Sequence, residues 1–436
     1  MDWLYGSRSS SRTVHEGGRG QPHGPTRIND QLVEWVTWRV TVEGLRTAVL
    51  ASRGVTMQIT AAVLDATGAE TPYAASEPLT LEHLELDPPG PGEILVRVAA
   101  AGLCHSDLSV INGSRVRPMP MALGHEAAGV VEEVGPTDGS LHGSDLSPGD
   151  HVVFVFVPSC GHCEPCSTGR PALCEPGAAA NTSGTLLSGA RRLHRPDGSP
   201  VNHHLGVSAF ADHAVVSRRS LVKVDPELPL EEAALFGCAV LTGVGAVINT
   251  GQVPAGSSVA VVGLGGVGLS AVLGAIAAGA RRVVAVDLSD DKLDLALSLG
   301  ATDTVNAADP EAVAEIRSLT AGGVEYAIEL AGSTRALDLA FAITRRGGTT
   351  ITAGLPDPAA TLPLTPLTLV AEERTLKGSY IGTAVPSRDI PHYIELYRRG
   401  RLPVDRLLSG TSGLSEINHG FDLLNAGQAV RHVITM

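Results

Sequence analysis

The strongest constraint on the fold is a glycine-rich turn between an apolar strand and an apolar helix. The strand VAVV, residues 259–262, runs directly into GLGGVG and then into LSAVLGAIAAGA. The alternation of strand and helix continues over residues 239–380, with RRVVAVDLS, DKLDLALSLGA, VEYAIELAG and GTTITAGLP. Because parallel strands are joined by helical crossovers, this pattern predicts a doubly wound parallel α/β sheet.

The turn itself predicts a dinucleotide site. It consists of Gly263, Leu264, Gly265, Gly266, Val267 and Gly268. In this GxGxxG pattern the first glycine permits the tight turn, the second lets the backbone approach a pyrophosphate, and the third allows close helix–strand packing. Asp287 ends the next strand, where a carboxylate accepts hydrogen bonds from a ribose and repels a 2′-phosphate, so NAD is favoured over NADP. Lys292 is a candidate for a second ribose contact, with a solvated surface lysine as the alternative.

Four cysteines lie within PSCGHCEPCSTGRPALC, residues 158–174. They are Cys160, Cys163, Cys166 and Cys174. The spacing C-x2-C-x2-C-x7-C can place four thiolates around one tetrahedral ion, whereas a bacterial ferredoxin run has x3 before a Cys-Pro. Because four thiolates leave no open position, we predict a structural zinc lobe over residues 158–175, with disulfides or independent thiols as the alternative.

The two remaining cysteines predict a second metal site. Cys104 follows the strand-like EILVRVAAAG, Cys238 precedes the dinucleotide unit, and GHEAAG between them supplies His125. Two thiolates and one imidazole bind zinc with the fourth position free, which is a catalytic arrangement. Taken singly, each cysteine could be a small core residue and the histidine an interior side chain.

The rest of the chain divides by its pattern. Residues 57–238 contain short alternating strands between Gly/Pro turns, which indicates a β-rich domain, and residues 381–436 are mixed. Residues 1–56 differ from both, and we interpret them as an extension that is disordered or non-native, with Met57 as the natural start. A genuine accessory segment is the alternative.

Composition limits the partners and the location. A formal net charge of −14 argues against nucleic acid or an anionic membrane as the main partner. We expect no membrane span, since no run of about 18 uncharged apolar residues occurs. The first residues lack the apolar core of a secretory signal, so we expect a reducing cytoplasmic location, in which clustered thiols are more often metal ligands than disulfides.

Five motifs together resemble one known family. GLCHSD, GHEAAGVVEEVG, CGHCEPCSTGRPALC, FGCAVLTGVG and VGLGGVGLSAVLGA occur in the order seen in zinc-dependent medium-chain alcohol dehydrogenases, and the resemblance covers about residues 60–436. RPDGSPVNHHLGVSAFADHAVV is most similar to the longer branch that includes glutathione-dependent formaldehyde dehydrogenase. The resemblance implies a GroES-like catalytic domain, a Rossmann NAD-binding domain, a C-terminal return to the first domain and a homo-oligomer, either dimer or tetramer.

The resemblance also implies roles for residues around the second metal site. Cys104, His125 and Cys238 match the ligands of a catalytic zinc, and Glu126 matches a carboxylate close to that metal. Asp107 matches the acid that orients the ligand histidine.

Further matches concern the proton, the cofactor and the substrate. Ser106 matches the hydroxyl that takes the alcohol proton, and Thr242 resembles a residue beside the nicotinamide. Phe156 resembles a substrate-pocket aromatic, while His105 and Arg431 resemble pyrophosphate contacts. For these last four residues, ordinary packing or a surface charge is the alternative.

The implied activity is reversible NAD-dependent oxidation of a small alcohol with two zinc ions per chain. One alternative is a thiol-adduct formaldehyde dehydrogenase of the glutathione or mycothiol type. Another is a zinc-less reductase or NAD-binding sensor, which the complete ligand set argues against. One departure from the family is Ser109, which stands where many relatives have the histidine that ends the proton relay.

Overall fold

The computed structural model of the chain describes residues 56–136 and 145–436. The predicted extension, residues 1–56, lies outside the described residues apart from Thr56. The strands are β1 Met57–Leu64, β2 Leu79–Leu86, β3 Glu93–Gly102, β4 Met121–Ala122, β5 Glu126–Val134, β6 His151–Phe154, β7 Leu193–His194, β8 Pro200–His203, β9 His213–Ser217, β10 Leu221–Val224, β11 Ser258–Val262, β12 Arg282–Asp287, β13 Asp303–Asn306, β14 Val324–Glu329, β15 Thr344–Thr352, β16 Thr375–Gly378, β17 Leu408–Gly413 and β18 Arg431–Thr435.

The helices are distributed through the whole described chain. They are α1 Tyr73–Ser76, α2 His105–Ile111, α3 Glu164–Ser167, α4 Glu175–Ser183, α5 Leu230–Ala234, α6 Ala239–Gly245, α7 Gly266–Ala277, α8 Asp290–Leu299, α9 Ala312–Leu319, α10 Thr334–Ile343, α11 Pro366–Ala371, α12 Pro386–Arg398 and α13 Ile417–Asn425. Their ends follow local chemistry. For example, α8 begins with two aspartates that complement its N-terminal dipole. It is followed by Gly300, whose φ of 109° stops the helix.

A six-stranded parallel sheet carries the glycine-rich turn. Its order is β13-β12-β11-β14-β15-β16, and every residue of the central strand β11 is buried, as expected for a sheet covered by helices on both faces. The strand order reverses between β11 and β14, and the turn after β11 opens at that switch point, where doubly wound sheets bind ligands. This sheet confirms the predicted doubly wound α/β arrangement.

Two antiparallel-rich sheets form the β-rich part. One is a closed barrel of β1, β2, β7, β8 and β4, and the other has the order β10-β6-β5-β3-β18-β17, with β9 also paired to β3. The C-terminal strand β18 pairs antiparallel with β3, with Val433 opposite Gly102. This pairing brings the last residues of the chain next to Cys104, which follows β3.

No single helix within residues 56–136 and 145–436 is long and apolar enough to cross a membrane. One bent helix pair, Leu230–Gly237 with Ala239–Thr250, passes on length and composition alone. Most of its residues are buried inside the protein.

Candidate functional site

Three sequence-predicted metal ligands converge in a buried cluster. Cys104 lies at the junction of β3 and α2, His125 immediately precedes β5, and Cys238 immediately precedes α6. Their ligand atoms all lie within 4.8 Å of one another, and Cys238 Sγ is 3.6 Å from His125 Nε2. Two sulfurs and one imidazole nitrogen are a donor set that fits zinc and leaves a fourth position for another ligand.

Electrostatics at this cluster favour a metal-binding thiolate. A hydrogen bond from the Cys238 thiol lowers the pKa of Cys104 despite its burial, and the charges of His125 and Arg431 act in the same direction. A thiolate is the form of cysteine that binds metal. The surroundings of Cys104 therefore favour its thiolate form.

Asp107 is a fully buried carboxylate that bridges two imidazoles. Its Oδ2 lies 3.0 Å from His125 Nδ1, and its Oδ1 lies 3.0 Å from His204 Nδ1. The Gly124 N–H donates a 3.1 Å hydrogen bond to Oδ1. Burial alone would raise the pKa of Asp107, but the charges and hydrogen bonds of the two histidines outweigh it and hold the pKa below its usual range. The carboxylate is therefore ionised and able to orient His125.

Glu126 and Arg431 form a buried ion pair beside the cluster. Arg431 Nη1 lies 3.4 Å from Glu126 Oε2 and donates a 3.3 Å hydrogen bond to the Leu103 carbonyl. Burial raises the pKa of Glu126 to about 7, although the Arg431 charge opposes this. Arg431 Nε has no hydrogen-bond partner among the described residues, so this cation retains capacity for an anionic ligand.

The remaining predicted residues line the same region. Ser106 is half-buried in the first turn of α2, and Phe156 makes an edge contact with the His125 ring at a centroid distance of 5.1 Å. Thr242 is half-buried in α6, with its N–H bonded to the Cys238 carbonyl. Ser109 donates a 2.7 Å hydrogen bond to the His105 carbonyl four residues earlier. That hydroxyl is thus engaged within its own helix.

The four clustered cysteines form a second, separate thiol group. Their sulfurs all lie within 4.8 Å of one another, and Cys163 Sγ is 3.9 Å from Cys174 Sγ. Backbone N–H groups of Cys160 and Gly177 donate to Cys174 Sγ, and that of Cys163 donates to Cys160 Sγ. All six cysteines of the chain are free thiols, which argues against the disulfide alternative. Four sulfurs around one point fit a closed tetrahedral zinc site.

The glycine-rich turn has the shape of a phosphate cradle. Asp287 accepts hydrogen bonds from the backbone N–H groups of Leu264, Leu288 and Ser289, which holds its carboxylate at the turn. A Cβ on Gly268 would lie 1.8 Å from the Gly263 carbonyl oxygen, so this glycine is required for packing. A Cβ on Gly265 would meet no protein atom within 4 Å, which leaves open space at the position where a pyrophosphate approaches.

Arg431 brings a positive charge to this turn. The Arg431 guanidinium packs so closely on Gly266 that a Cβ there would lie 2.0 Å from its Nε. Burial lowers the pKa of His105, and the nearby charges of Arg431 and Lys292 act in the same direction. Because the Arg431 charge lies at the N-terminus of α7, the turn fits an anionic diphosphate.

Comparisons with known proteins agree over both parts of the chain. Residues 90–226 match the alcohol dehydrogenase GroES-like domain, and residues 266–399 match the zinc-binding dehydrogenase domain. The chain is 41% identical over 382 residues to the putative alcohol dehydrogenase D of Mycobacterium tuberculosis, covering 87% of this chain and 100% of that protein. The chain belongs to the zinc-dependent medium-chain alcohol dehydrogenase family.

Two further members of the family are similar over nearly the same length. The NDMA-dependent alcohol dehydrogenase of Amycolatopsis methanolica is 40% identical over 366 residues, covering 83% of this chain and 96% of that one. The crystal structure of benzyl alcohol dehydrogenase from Acinetobacter calcoaceticus has a TM-score of 0.80 and 34% identity, covering 87% of this chain and 99% of that one.

Membership of the alcohol dehydrogenase family confirms the predicted fold class, a GroES-like domain together with a Rossmann sheet. It also means that the chain is an oxidoreductase that acts on small-molecule alcohols, with zinc and a nucleotide cofactor. The roles assigned to individual residues stay predictions. The structure does bring the members of each predicted set of metal ligands within 4.8 Å of one another.

The structure adds residues that sequence reasoning missed. His204 contacts Asp107 directly, yet 97 positions separate them and no spacing pattern connects them. The charge of Arg117 also acts to lower the pKa of the buried His204. The stretch HHLG was the available signal for His204, but the sequence alone did not show which way either histidine faces.

Proposed function

We propose that this alcohol dehydrogenase uses NAD and binds two zinc ions per chain, one catalytic and one structural. The observation that carries the proposal is the separation of six free cysteines into two clusters of different composition. One cluster has four sulfurs and no open position, and the other has two sulfurs with one imidazole and an open position.

Cys104, His125 and Cys238 would hold the catalytic zinc, and Cys160, Cys163, Cys166 and Cys174 the structural one. When bound, the catalytic zinc acts as a Lewis acid that lowers the pKa of the substrate hydroxyl, and the nicotinamide accepts a hydride. The protein residues orient these groups. Asp107 holds the ring of His125, and the aromatic side chain of Phe156 packs against the same ring and shields it from water.

We propose NAD rather than NADP as the cofactor, because the Asp287 carboxylate lies at the turn where a 2′-phosphate would be repelled. Lys292 and Arg431 would supply positive charge for the ribose and the diphosphate, His105 would offer a neutral ring N–H to the diphosphate, and Thr242 would lie beside the nicotinamide. Parallel assays of NADH and NADPH formation with one alcohol test this, and a preference for NADP would contradict it. Since one relative is named for NDMA dependence, the same assays should be run with and without NDMA.

Replacing Gly265 by alanine should weaken NAD binding without harming the fold. Gly265 has φ −69° and ψ −176°, which alanine adopts readily, and its Cβ would meet no protein atom within 4 Å. We expect an unchanged melting temperature and a KM for NAD raised about tenfold, equivalent to about 1.4 kcal/mol. Gly268→Ala is the contrasting variant, since its Cβ would lie 1.8 Å from a carbonyl oxygen and should destabilise the protein itself. An unchanged KM for NAD in Gly265→Ala would contradict the placement of the diphosphate.

Replacing Ser106 by alanine should lower turnover while leaving zinc content unchanged. Ser106 is two residues from Cys104, and its half-buried hydroxyl is proposed to accept the proton of the substrate alcohol at Oγ. Loss of a positioned proton acceptor lowers rates by about 10²-fold or more. Ser106→Thr keeps the hydroxyl and should retain most of the turnover. Near-native turnover in Ser106→Ala, with both zinc ions present, would refute the role in proton transfer.

A second candidate function, oxidation of a thiol adduct of formaldehyde, is favoured by two arginines that have no acidic partner in the described part of the chain. Arg115 and Arg117 form no ion pair with any acidic residue in the described part of the chain, and Arg117 Nε is buried without a hydrogen-bond partner there. Burial raises the pKa of Tyr380, and the charges of Arg117 and Arg115 oppose this shift. Unpaired cations at this place suit a substrate with a carboxylate, as peptide thiols have.

The test for this candidate compares formaldehyde with and without a carboxylate-bearing thiol such as glutathione. Strictly thiol-dependent NADH formation would establish the adduct as substrate. Oxidation of simple alcohols at an equal or higher rate without thiol would establish the plain alcohol dehydrogenase. The zinc-less reductase or sensor alternative is tested by metal analysis, since it predicts one zinc ion or none.

We also propose a cytoplasmic homo-oligomer. The edge strand β16 has a largely exposed face, and apolar side chains flank it in sequence. These are Leu355, Leu367 and Val370, which are 53%, 71% and 76% exposed. An exposed sheet edge beside apolar residues is suited to pairing with a second copy. Size-exclusion chromatography with light scattering tests this, and a monomer at micromolar concentration would contradict it.

A further inference from the structure

We propose that His204 is a positioning residue for the catalytic metal site, acting through Asp107 on the ligand His125. The inference rests on the proposed function, because it concerns the zinc that His125 would hold. Neither the family motifs nor the spacing of the sequence assigns any role to this histidine.

The Asp107 carboxylate is in contact with both His204 and His125. This carboxylate is completely buried, and three groups among the described residues lie within hydrogen-bonding distance of it. Gly124 N–H and His204 Nδ1 lie 3.1 and 3.0 Å from Oδ1, and His125 Nδ1 lies 3.0 Å from Oδ2. Within residues 56–136 and 145–436, His204 is therefore one of two side chains that contact this buried negative charge.

The second step concerns the ring nitrogens. A neutral imidazole carries one N–H, and a carboxylate beside Nδ1 places it there. For His125 this leaves the Nε2 lone pair on the side of Cys238 Sγ, 3.6 Å away, where a metal would bind. Asp107 can enforce this arrangement only while its Oδ2 faces His125, and the contact of His204 with Oδ1 holds it in that orientation.

The third step is that His204 is itself firmly held. Its backbone N–H donates a 2.9 Å hydrogen bond to Ser208 Oγ, whose hydroxyl donates a 2.8 Å hydrogen bond to the Ala122 carbonyl. Leu205 and Ser208 have φ of 53° and 55°, a left-handed conformation that is unfavourable for residues other than glycine. The His204 ring also packs edge-on against His125, with centroids 5.5 Å apart. The turn thus keeps the imidazole against Asp107.

Without the imidazole, Asp107 would lose one of its three partners and its hold on His125. We expect catalytic zinc to bind about tenfold more weakly in His204→Leu, the range seen for outer partners of metal ligands. His204→Asn should be close to wild type, because an asparagine amide can donate from nearly the position of Nδ1. His203→Leu is the matched control, since His203 is also buried but bonds the Arg192 N–H at 3.0 Å and does not contact Asp107.

The experiment measures zinc release from the metal-loaded protein into a chelator, with the four-cysteine site as an internal reference. We expect one of the two zinc ions to leave about tenfold faster in His204→Leu, at the wild-type rate in His203→Leu, and within about threefold of it in His204→Asn. Steady-state kinetics should show a lower kcat with the KM for NAD unchanged. Equal release from wild type and His204→Leu would overturn the proposal.

Two other results also decide the proposal, a His204→Leu variant that does not fold and a wild-type protein with one zinc ion. If His204→Leu does not fold, His204→Asn is compared with His204→Gln, whose amide reaches toward the position of Nε2 instead. Faster release from His204→Gln than from His204→Asn supports the proposal, and equal release overturns it. If wild-type protein itself holds only one zinc ion, in the four-cysteine site, the proposed function fails and this inference fails with it.

Discussion

Cys104→Ser is expected to abolish turnover in a protein that still folds. Cys104 provides one of three ligand atoms that lie within 4.8 Å of one another, and a serine hydroxyl is a poor substitute for a thiolate on zinc. We expect a loss of about 10³-fold, equivalent to about 4 kcal/mol of activation barrier. The measurement combines kcat, circular dichroism and zinc content, which should fall from two ions per chain to one.

The Cys104→Ser substitution should leave the fold intact, so a loss of turnover can be attributed to the loss of a metal ligand. Cys104 is buried at the start of α2, and serine is nearly isosteric with cysteine, so the helix should persist. Native-like circular dichroism together with wild-type turnover would contradict the assignment of Cys104 as a ligand. Unfolded protein would contradict the view that this site is catalytic rather than structural.

Cys163→Ser is expected to have the opposite pattern, with stability lost before turnover. Cys163 lies at the start of α3, in the lobe of residues 158–175. The four cysteine sulfurs of this lobe lie close together, and α3 is only four residues long. Since binding of a structural metal contributes directly to folding free energy, loss of one ligand should lower stability by about 2 kcal/mol or more. With an unfolding entropy of about 2.1 cal/mol/K per residue, that corresponds in a chain of this size to a fall in melting temperature of about 2 °C or more.

Ser167→Ala is the matched control for the lobe. Ser167 is exposed in the same helix and only donates a hydrogen bond to the Glu164 carbonyl, so its loss should change stability by less than about 0.5 kcal/mol. The surviving folded fraction of Cys163→Ser should keep near-normal kcat. An unchanged melting temperature in Cys163→Ser would show that the four cysteines do not hold a stabilising metal.

Features with a local pattern were predictable from the sequence. The strand–helix alternation around Gly263 and Gly265 is local, because each unit is built from neighbouring residues, and it correctly indicated the parallel sheet. The metal clusters were predictable for another reason. A set such as Cys104, His125 and Cys238 has a recognisable chemistry, even though its members come from distant parts of the chain.

Contacts that depend on long-range packing were not predictable in the same way. The place of Arg431 beside Glu126 depends on pairing of β18 with β3, which the alternation of a single strand does not reveal. His204 reaches Asp107 because of a left-handed turn at Leu205, and a turn of this kind has no fixed sequence signature apart from its glycine.

Ser109 shows how the structure refines a departure from the family pattern. From the sequence, Ser109 stands where many relatives have the histidine that ends the proton relay, which left the final base of the relay open. In the structure it donates to the His105 carbonyl within the same helix. We therefore propose that the proton leaves Ser106 by a route that does not include the Ser109 side chain.

Zinc stoichiometry measured on the purified full chain tests the proposed chemistry most directly. Inductively coupled plasma mass spectrometry, normalised to protein concentration, should give two zinc ions per chain for the wild type and one for Cys104→Ser. One zinc ion or none in the active wild-type enzyme, or equal content in both proteins, would contradict a catalytic zinc at Cys104, His125 and Cys238.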